Sequence, residues 1–245
     1  TACLADGLDI RLSTPVTRIN WQKDRVNIYT HEDVLEADNV IITVPLGVLK
    51  AGHIRFVPDL PELKQEALAG LRMGPVIKLV YVFEEAILPA VISAVYSANT
   101  PPMWWSPNFG HPQQASSEQV WTAFASGDWA RALLSEAHET TTETMLLNAL
   151  GSLSKALDKP LPQPKTMKLV NWPADPYTLG GYSYPAPGHT SARAKLAAAM
   201  PPLFWAGEAT APPHQTATVH GALVSGRRAA REVMKHAGKV MTASD

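Results

Sequence analysis

The sequence predicts a mixed fold, of the α/β or the α+β class, in which both ends of the chain form one unit and the middle forms another. Two observations predict it. Short apolar runs typical of β-strands recur along the whole chain, and helical patterns interrupt them in the middle and close the chain at its end. The 245 residues have room for one large domain or two modest ones.

Composition excludes several classes of protein. Hydrophobic residues make up 46% and charged residues 18% of the chain, as in ordinary globular proteins. A net charge of −1 gives no basic surface for nucleic acid, and no apolar run reaches the roughly 18 residues of a membrane span. Cys3 is the only cysteine, which excludes disulfides and cysteine-rich metal sites within the chain. We expect no metal and a reducing, cytoplasmic location.

The first part of the chain, residues 8–44, predicts strands. Its early alternating apolar residues are Leu8, Ile10 and Leu12, and "QKDR" at 22–25 suits a hairpin turn. The continuous run "VIITV" at 40–44 predicts a strand covered on both faces. Turn signals in "PLGVLKAG" then place a domain crossing near residue 50.

The rest of the chain alternates between strands and helices. We predict strands at 75–83, 91–97, 119–125, 165–172 and 203–206. We predict helices at 61–72, at 128–157 with a break near 136–142, at 191–199 and at 219–236. The predicted domains are residues 1–50 with 186–245, and residues 51–185.

Lys78 interrupts an apolar strand. It shares a face with Val76, Val80 and Val82, and an ammonium on an apolar face is costly unless it has a partner or reaches a wet cavity. The plain explanation is a long side chain that reaches solvent at a strand edge. The alternative is a functional role, and the pattern alone does not decide between them.

The loop "DPYTLGGYSYPAPG" at 175–188 combines two adjacent glycines with three tyrosines. Glycines let a backbone approach a flat group closely, and aromatic side chains line pockets for apolar or cationic ligands. A structural turn with aromatic plugs explains the same pattern. On residues alone this second interpretation is the stronger.

The segment "LFWAGEATAPPHQTATVHGALVSG" at 203–226 predicts a ligand site. A strand ends at Gly207-Glu208, where ligands bind in open α/β sheets, and the final helix begins near Val219 with free backbone N–H groups. The helix presents a face of small residues and gathers its arginines toward the other end. His220 in its first turn suits a structural hydrogen bond better than a base.

Four segments together resemble the flavin-dependent amine oxidases, a family of polyamine oxidases, lysine-specific histone demethylases and monoamine oxidases. They are "LFWAGEAT…TATVHGALVSGRRAA", "ADNVIITVPLGVLKAGHIRFVPDLP", "LRMGPVIKLVYVFE" and "NWPADPYTLGGYSY". They follow the family's order over about residues 8–236. The resemblance implies part of a Rossmann-like FAD-binding domain with an inserted substrate domain of mixed sheet and helices.

The resemblance also implies roles for single residues. Lys78 matches the lysine that binds a water beside flavin N5, and Tyr182 matches one wall of the aromatic cage for the amine. The positions that match cofactor contacts are Val16 at the adenine, Thr43 and Pro45 along the cofactor, Trp172 beside the isoalloxazine ring, Gly207 and Glu208 at the ribityl-pyrophosphate, and Thr218 and Val219 at the start of the last helix.

The sequence departs from the family at three points. Gly181 stands where monoamine oxidases carry the cysteine that links FAD covalently, so we expect non-covalent FAD. Thr218 replaces a cage tyrosine of several relatives, as in the histone demethylases. Nothing matches the family's GxGxxG motif, and the chain lacks an initiator Met and begins mid-pattern, so we expect a missing N-terminal part and weak FAD binding by these 245 residues alone.

The function that the resemblance implies is the oxidation of amines. FAD takes a hydride at N5, water hydrolyses the imine, and O₂ is reduced to H₂O₂. A polyamine or another secondary amine is the expected substrate. The alternatives are a related flavin oxidase or desaturase for amino acids or apolar rings, and a non-catalytic relative that binds a partner.

Overall fold

The computed structural model describes residues 5–110 and 118–238, and it confirms the mixed α/β fold class. Cys3 lies outside the described residues. Two compact units are present. The first contains the chain up to Arg72 and from Ser183 onward, and the second runs from Met73 to Tyr182.

The units divide the chain later than the expected crossing near residue 50. Residues 51–72 belong to the first unit because their strand Arg55–Val57 pairs with Arg18–Gln22 and their helix Glu62–Gly70 packs on the helix Ala192–Ala197. The second boundary, at Tyr182, lies three residues before the expected one. The assignment of the units to cofactor and substrate stays a prediction.

The described part of the first unit combines two sheets with α-helices. Its strands are β1 (Arg18–Gln22), β2 (Arg25–Tyr29), β3 (Val34–Ala37), β4 (Val40–Ile42), β5 (Arg55–Val57) and β13 (Leu203–Trp205). Its helices are α1 (Leu46–Ala51), α2 (Glu62–Gly70), α5 (Ala192–Ala197) and α6 (Val219–His236). One sheet has the order β3-β2-β1-β5, and β13 lies parallel to β4 in the other.

The second unit is built on one five-stranded sheet. Its strands are β7 (Val76–Phe83), β8 (Ala94–Tyr96), β9 (Met103–Trp105), β10 (Gln119–Ser126) and β11 (Thr166–Asn171), and their order in the sheet is β11-β7-β10-β9-β8. Its helices are α3 (Gly127–Glu139) and α4 (Thr142–Ala156). The short strands β6 (Leu71–Gly74) and β12 (Tyr182–Pro185), which contain the unit boundaries, pair with each other.

Two expectations for the first unit are wrong. Leu8, Ile10 and Leu12 form no strand, and they are 64%, 55% and 82% exposed, so their alternation has no buried face behind it. The strand predicted at 40–44 ends at Ile42, and Ile41 is 38% exposed, so β4 is not covered on both faces. The turn at 23–24 and the final helix at 219–236 are confirmed.

One face of the five-stranded sheet carries the core of the second unit. Ile77, Leu79, Tyr81 and Phe83 of β7 are fully buried there with residues of α3 and α4. The Tyr81 hydroxyl donates to the carbonyl of Leu146 at 2.8 Å, which satisfies its only buried polar group. Because side chains alternate, Lys78 lies on the other face.

A buried lysine joins two helices of the first unit. Lys64 of α2 is 1% exposed, and its Nζ donates to the carbonyls of Lys195, Leu196 and Ala198 at the end of α5. The ammonium also lies 4.8 Å from the centre of the Trp205 ring. Burial and, to a lesser extent, the nearby Arg228 charge lower the pKa of Lys64 to about 7, while the charge of Glu232 opposes this shift.

Candidate active site

Two parallel strands of the first unit end side by side at the candidate cofactor site. β4 and β13 pair in register from Leu203 and Val40, and the N–H of Ala206 donates to the carbonyl of Ile42. Thr43 and Gly207 follow directly after this ladder. Open α/β sheets bind ligands at this edge of the strands.

Gly207 has a backbone conformation that favours glycine, with φ of +110°. A side chain there would point toward the carbonyl of Thr43, which lies 3.6 Å from an ideal Cβ position. Ser225 of α6 holds Gly207, since its Oγ accepts from the Gly207 N–H at 2.9 Å. The Ser225 hydroxyl has two carbonyl acceptors in reach, that of Ala222 at 2.7 Å and that of Gly207 at 3.0 Å. The small-residue face of α6 therefore holds this turn.

The Glu208 carboxylate is held by two residues that sequence reasoning missed. The N–H of Ser183 donates to Oε1 at 3.1 Å and its hydroxyl to Oε2 at 2.9 Å. Arg193 donates to the Ser183 hydroxyl and carbonyl at 2.7 Å, and its Nη1 lies 3.9 Å from Glu208 Oε2. Burial lowers the pKa of Arg193, and the charge of Glu208 opposes this shift.

No local pattern could have identified this network. Ser183 is 25 positions and Arg193 is 15 positions from Glu208 along the chain. The only available signal was the alternation of β12, which places Ser183 on the opposite face from Tyr182.

The last helix begins as the sequence predicted. Thr218 is its N-cap, and the Thr218 hydroxyl accepts from the Gly221 N–H at 3.0 Å while it donates to the Gln215 carbonyl at 2.7 Å. The Val219 side chain is 87% exposed. Gly221 is required where it stands, because a Cβ would lie 1.9 Å from the Gln215 carbonyl oxygen.

Val16 and Pro45 lie in the first unit beside regular structure. Val16 precedes β1, and among the described residues no backbone group bonds its N–H or carbonyl. Pro45 is the residue before α1, and its carbonyl accepts from the N–H groups of Val48 and Leu49. The helix α1 was not predicted, because its six residues are too few for a periodic pattern.

Lys78 lies on the face of the five-stranded sheet opposite to the one that α3 and α4 cover. Phe124 on β10 and Val170 on β11 stand directly opposite it. Its Nζ lies 5.6 Å from the centre of the Trp105 ring. Among the described residues no carboxylate pairs with this ammonium.

The Trp172 carbonyl anchors the glycine loop of the second unit. It accepts from the Gly180 N–H at 3.1 Å and from the Thr178 hydroxyl at 3.0 Å. Tyr182 follows this loop as the first residue of β12 and is partly buried. The loop is therefore a structural turn, and the same turn carries the aromatic residues that were candidates for a ligand pocket.

The structure thus groups the candidate residues within each unit. Thr43, Gly207 and Glu208 lie together at one sheet edge, and Thr218 and Val219 begin the helix that fixes Gly207. In the second unit one loop links Trp172 to Tyr182, and Lys78 lies on β7. In residues 5–110 and 118–238 no helix has the length and apolarity of a membrane span, and no three potential metal-binding side chains converge.

Comparisons with known proteins agree with these features. The sequence model of the family described as flavin containing amine oxidoreductase matches residues 1–234. Polyamine oxidase 4 from Oryza sativa subsp. japonica is 34% identical over 234 residues, which cover 95% of this chain and 46% of that protein. Lysine-specific histone demethylase 1 homolog 1 from the same plant is 32% identical over 251 residues, which cover 96% and 28%.

Solved structures show the same fold. Wild-type putrescine oxidase bound to putrescine matches with a TM-score of 0.79 and 21% identity, over 95% of this chain and 51% of that one. Cyclohexylamine oxidase from Brevibacterium oxydans IH-35A matches with a TM-score of 0.72 and 19% identity, over 92% and 49%. The chain spans about half the length of polyamine oxidase 4 and less of the demethylase relative.

Proposed function

The chain belongs to the flavin containing amine oxidoreductase family, and from this premise we propose that its protein is an FAD-dependent oxidase of small-molecule amines. The expected substrate is a polyamine or another secondary amine. The observation that carries the proposal is the sheet edge at Gly207 and Glu208, where a glycine-only turn and a fixed carboxylate meet. The cytoplasmic location remains a prediction.

The overall reaction consumes a secondary amine, water and O₂ and yields an aldehyde, a shorter amine and H₂O₂. Bound FAD would supply the redox chemistry, by accepting a hydride from the carbon next to the amine nitrogen and passing the electrons to O₂. The chain's own residues bind, orient and shield the reactants.

The residues of the first unit fit this cofactor. The backbone N–H and carbonyl of Val16, which no backbone group bonds within the described part of the chain, suit the adenine edge. The first N–H groups of α6 suit the carbonyl oxygens of a flavin. Glu208 presents a carboxylate, which accepts hydrogen bonds from ribityl hydroxyls. Thr43, Pro45 and Gly207 would border the cofactor where the parallel strands end.

Lys78 would bind a water molecule near the reacting carbon. Its ammonium has three donors and no paired carboxylate among the described residues, so a water can accept from it. A water held there is placed for hydrolysis of the imine. Trp172 would pack beside the isoalloxazine ring, and Tyr182 would form an aromatic wall for the neutral amine.

Steric crowding at Gly181 supports non-covalent FAD. An ideal Cβ at Gly181 would lie 2.3 Å from Val76 Cγ2 and 2.4 Å from Val76 Cβ. A cysteine at this position would therefore displace β7. When the FAD-loaded protein is unfolded and passed through an ultrafiltration membrane, all of its flavin should appear in the filtrate. Flavin that stays with the denatured chain would contradict this part of the proposal.

A hydrogen-peroxide assay tests the proposed function. The full-length natural protein, loaded with FAD, is mixed with polyamines, monoamines and methyl-lysine peptides in air. We expect peroxide and aldehyde in equal amounts from at least one amine. Stoichiometric FAD without peroxide from any of them would contradict the proposal and favour a partner-binding relative.

A further inference from the structure

We propose that the substrate carries an apolar, preferably aromatic, group next to its reacting carbon, and that the side chains around Lys78 select it. This inference rests on the proposed amine oxidation and names its substrate class. Of the two substrate classes named above, it favours another secondary amine over a polyamine. The second ammonium of a polyamine would meet the side chains around Lys78.

The relevant surface is the face of the five-stranded sheet that carries Lys78, called here the Lys78 face. Strand register assigns its members without ambiguity, because directly paired residues of neighbouring strands point to the same side. The members are Val76, Lys78, Val80 and Val82 of β7, Val120, Thr122, Phe124 and Ser126 of β10, Met103 and Trp105 of β9, Ala94 and Tyr96 of β8, and Thr166, Lys168 and Val170 of β11.

Apolar groups surround Lys78 on this face. Phe124 and Val170 flank it on the neighbouring strands, and the Trp105 ring lies 5.6 Å from its Nζ. Trp105 and Phe124 also contact each other, with ring centroids 6.2 Å apart. A substrate whose nitrogen-bearing carbon approaches Lys78 would place its next atoms against these two rings.

The charges of the Lys78 face do not suit a polycation. Its only charged members are Lys78 and Lys168, both cationic. Glu118, just before β10, is paired with Lys165 and lies six residues from Phe124, which is about 20 Å along a strand. A second ammonium near Lys78 would therefore face like charge and lose its hydration, whereas a phenyl or alkyl group would gain contact.

Substrate selectivity tests the inference in the FAD-loaded full-length protein. The expected kcat/KM for N-methylbenzylamine is at least about tenfold above that for spermine or putrescine, as one apolar pocket contact supports. Preference for spermine by a similar factor would overturn the inference and leave amine oxidation standing. Failure to oxidise any amine would instead contradict the proposed function.

Binding gives a readout that needs no turnover. An amine without hydrogen on the carbon next to nitrogen, such as 2-phenylpropan-2-amine, cannot be oxidised, and its Kd can be read from the flavin spectrum. We expect it to bind at least about tenfold more tightly than tert-butylamine, which lacks the ring. Equal Kd values would overturn the inference even in a protein that turns over no amine.

The variant Trp105→Leu tests whether the Trp105 ring contacts the substrate or only positions Lys78. Loss of the ring contact should lower kcat/KM for N-methylbenzylamine about tenfold. The kcat/KM for spermine should change less, because spermine has no ring that contacts Trp105. An equal fall for both amines would mean that Trp105 only positions Lys78, and would overturn its selective role. Trp129→Ala removes a half-exposed tryptophan of α3, and this control should change neither value.

Discussion

Single residues carry different amounts of information about their roles. Lys78 could be identified from the sequence because an ammonium in an apolar strand is unusual, and the structure places it opposite Phe124 with no paired carboxylate among the described residues. The roles of Ser183 and Arg193 could not be identified, because no local pattern distinguishes these two residues from other serines and arginines of the chain. Their contact with Glu208 exists only in three dimensions.

Replacement of Lys78 tests its role directly. Lys78→Met keeps the length and apolar stem of the side chain but removes the three donors that hold water. We expect turnover or flavin reoxidation to fall about a hundredfold, within the range of positioned proton-transfer groups. Retained FAD absorbance would show that binding is intact.

The matched control is Lys155→Met, which removes an exposed lysine of α4 outside the Lys78 face. Turnover should stay within about twofold of the original, because an exposed lysine contributes little. Unchanged turnover in Lys78→Met would contradict the assigned role.

Arg193 should act on FAD affinity through Glu208. Arg193→Gln removes a buried charge that supports Ser183 and lies 3.9 Å from the Glu208 carboxylate. We expect the Kd for FAD to rise about tenfold, as for the loss of a charge-assisted hydrogen bond. Arg231→Gln, on an exposed position of α6, is the control and should leave the Kd unchanged.

If Arg193→Gln bound FAD with the Kd of the original protein, the Glu208 carboxylate would not depend on Arg193 for FAD binding, and the proposed role would be contradicted. A fall in thermal stability without change in the FAD Kd would have the same meaning, since it would assign Arg193 to folding alone.

At the scale of elements, periodic patterns gave reliable predictions and short or exposed ones did not. The strand β7 and the helix α6 appear where they were predicted, because each has a long alternating or helical pattern with a buried face. The helix α1 escaped prediction because of its six residues, and Leu8, Ile10 and Leu12 imitated a strand without burial. Long-range packing decides such cases, and local sequence does not contain it.

Two glycines of α6 make a matched pair for testing how this helix is placed. Gly221→Ala would put a Cβ 1.9 Å from the Gln215 carbonyl oxygen, so the loop before the helix must move. We expect a loss of about 1–3 kcal/mol in the free energy of unfolding, measured by chemical denaturation.

Gly226→Ala, five residues along the same helix, meets nothing within 4 Å. Here the alanine should raise the free energy of unfolding by about 0.5–1 kcal/mol, because it restricts the unfolded chain. Equal effects at the two positions would show that the close approach at Gly221 has no energetic weight.

At the scale of the whole molecule, the candidate residues belong to two compact units of this chain. The first unit carries most of the residues proposed to hold FAD, and the second carries Lys78, Trp172 and Tyr182. Family membership could be predicted from four short segments in order, since each combines glycines, an acid or a lysine with a recognisable strand or helix. The proposed substrate class could not be predicted from these segments. It depends on the Lys78 face, whose members are known only once the strand pairing is known.

Global stability should depend on pH through Lys64. Its pKa is lowered to about 7 in the folded state by burial, whereas an unfolded lysine has its usual pKa near 10.4. Between these values the unfolded chain binds more protons, so the free energy of unfolding should rise with pH in this window.

Urea denaturation at several pH values between 7 and 10 measures this slope. Lys64→Met should flatten it relative to the original protein, although the variant also loses the hydrogen bonds to the three carbonyls at the end of α5. Parallel pH profiles for the two proteins would contradict the shifted pKa.

Anaerobic reduction of the flavin tests the central claim most directly, because it isolates the first chemical step from oxygen and from product assays. The FAD-loaded full-length protein is mixed with N-methylbenzylamine and with spermine in the absence of O₂, and the visible absorbance of the oxidised flavin is followed. We expect an amine to bleach the flavin and the yellow colour to return when air is admitted. An oxidised spectrum that no amine changes, in a protein with stoichiometric FAD, would contradict it.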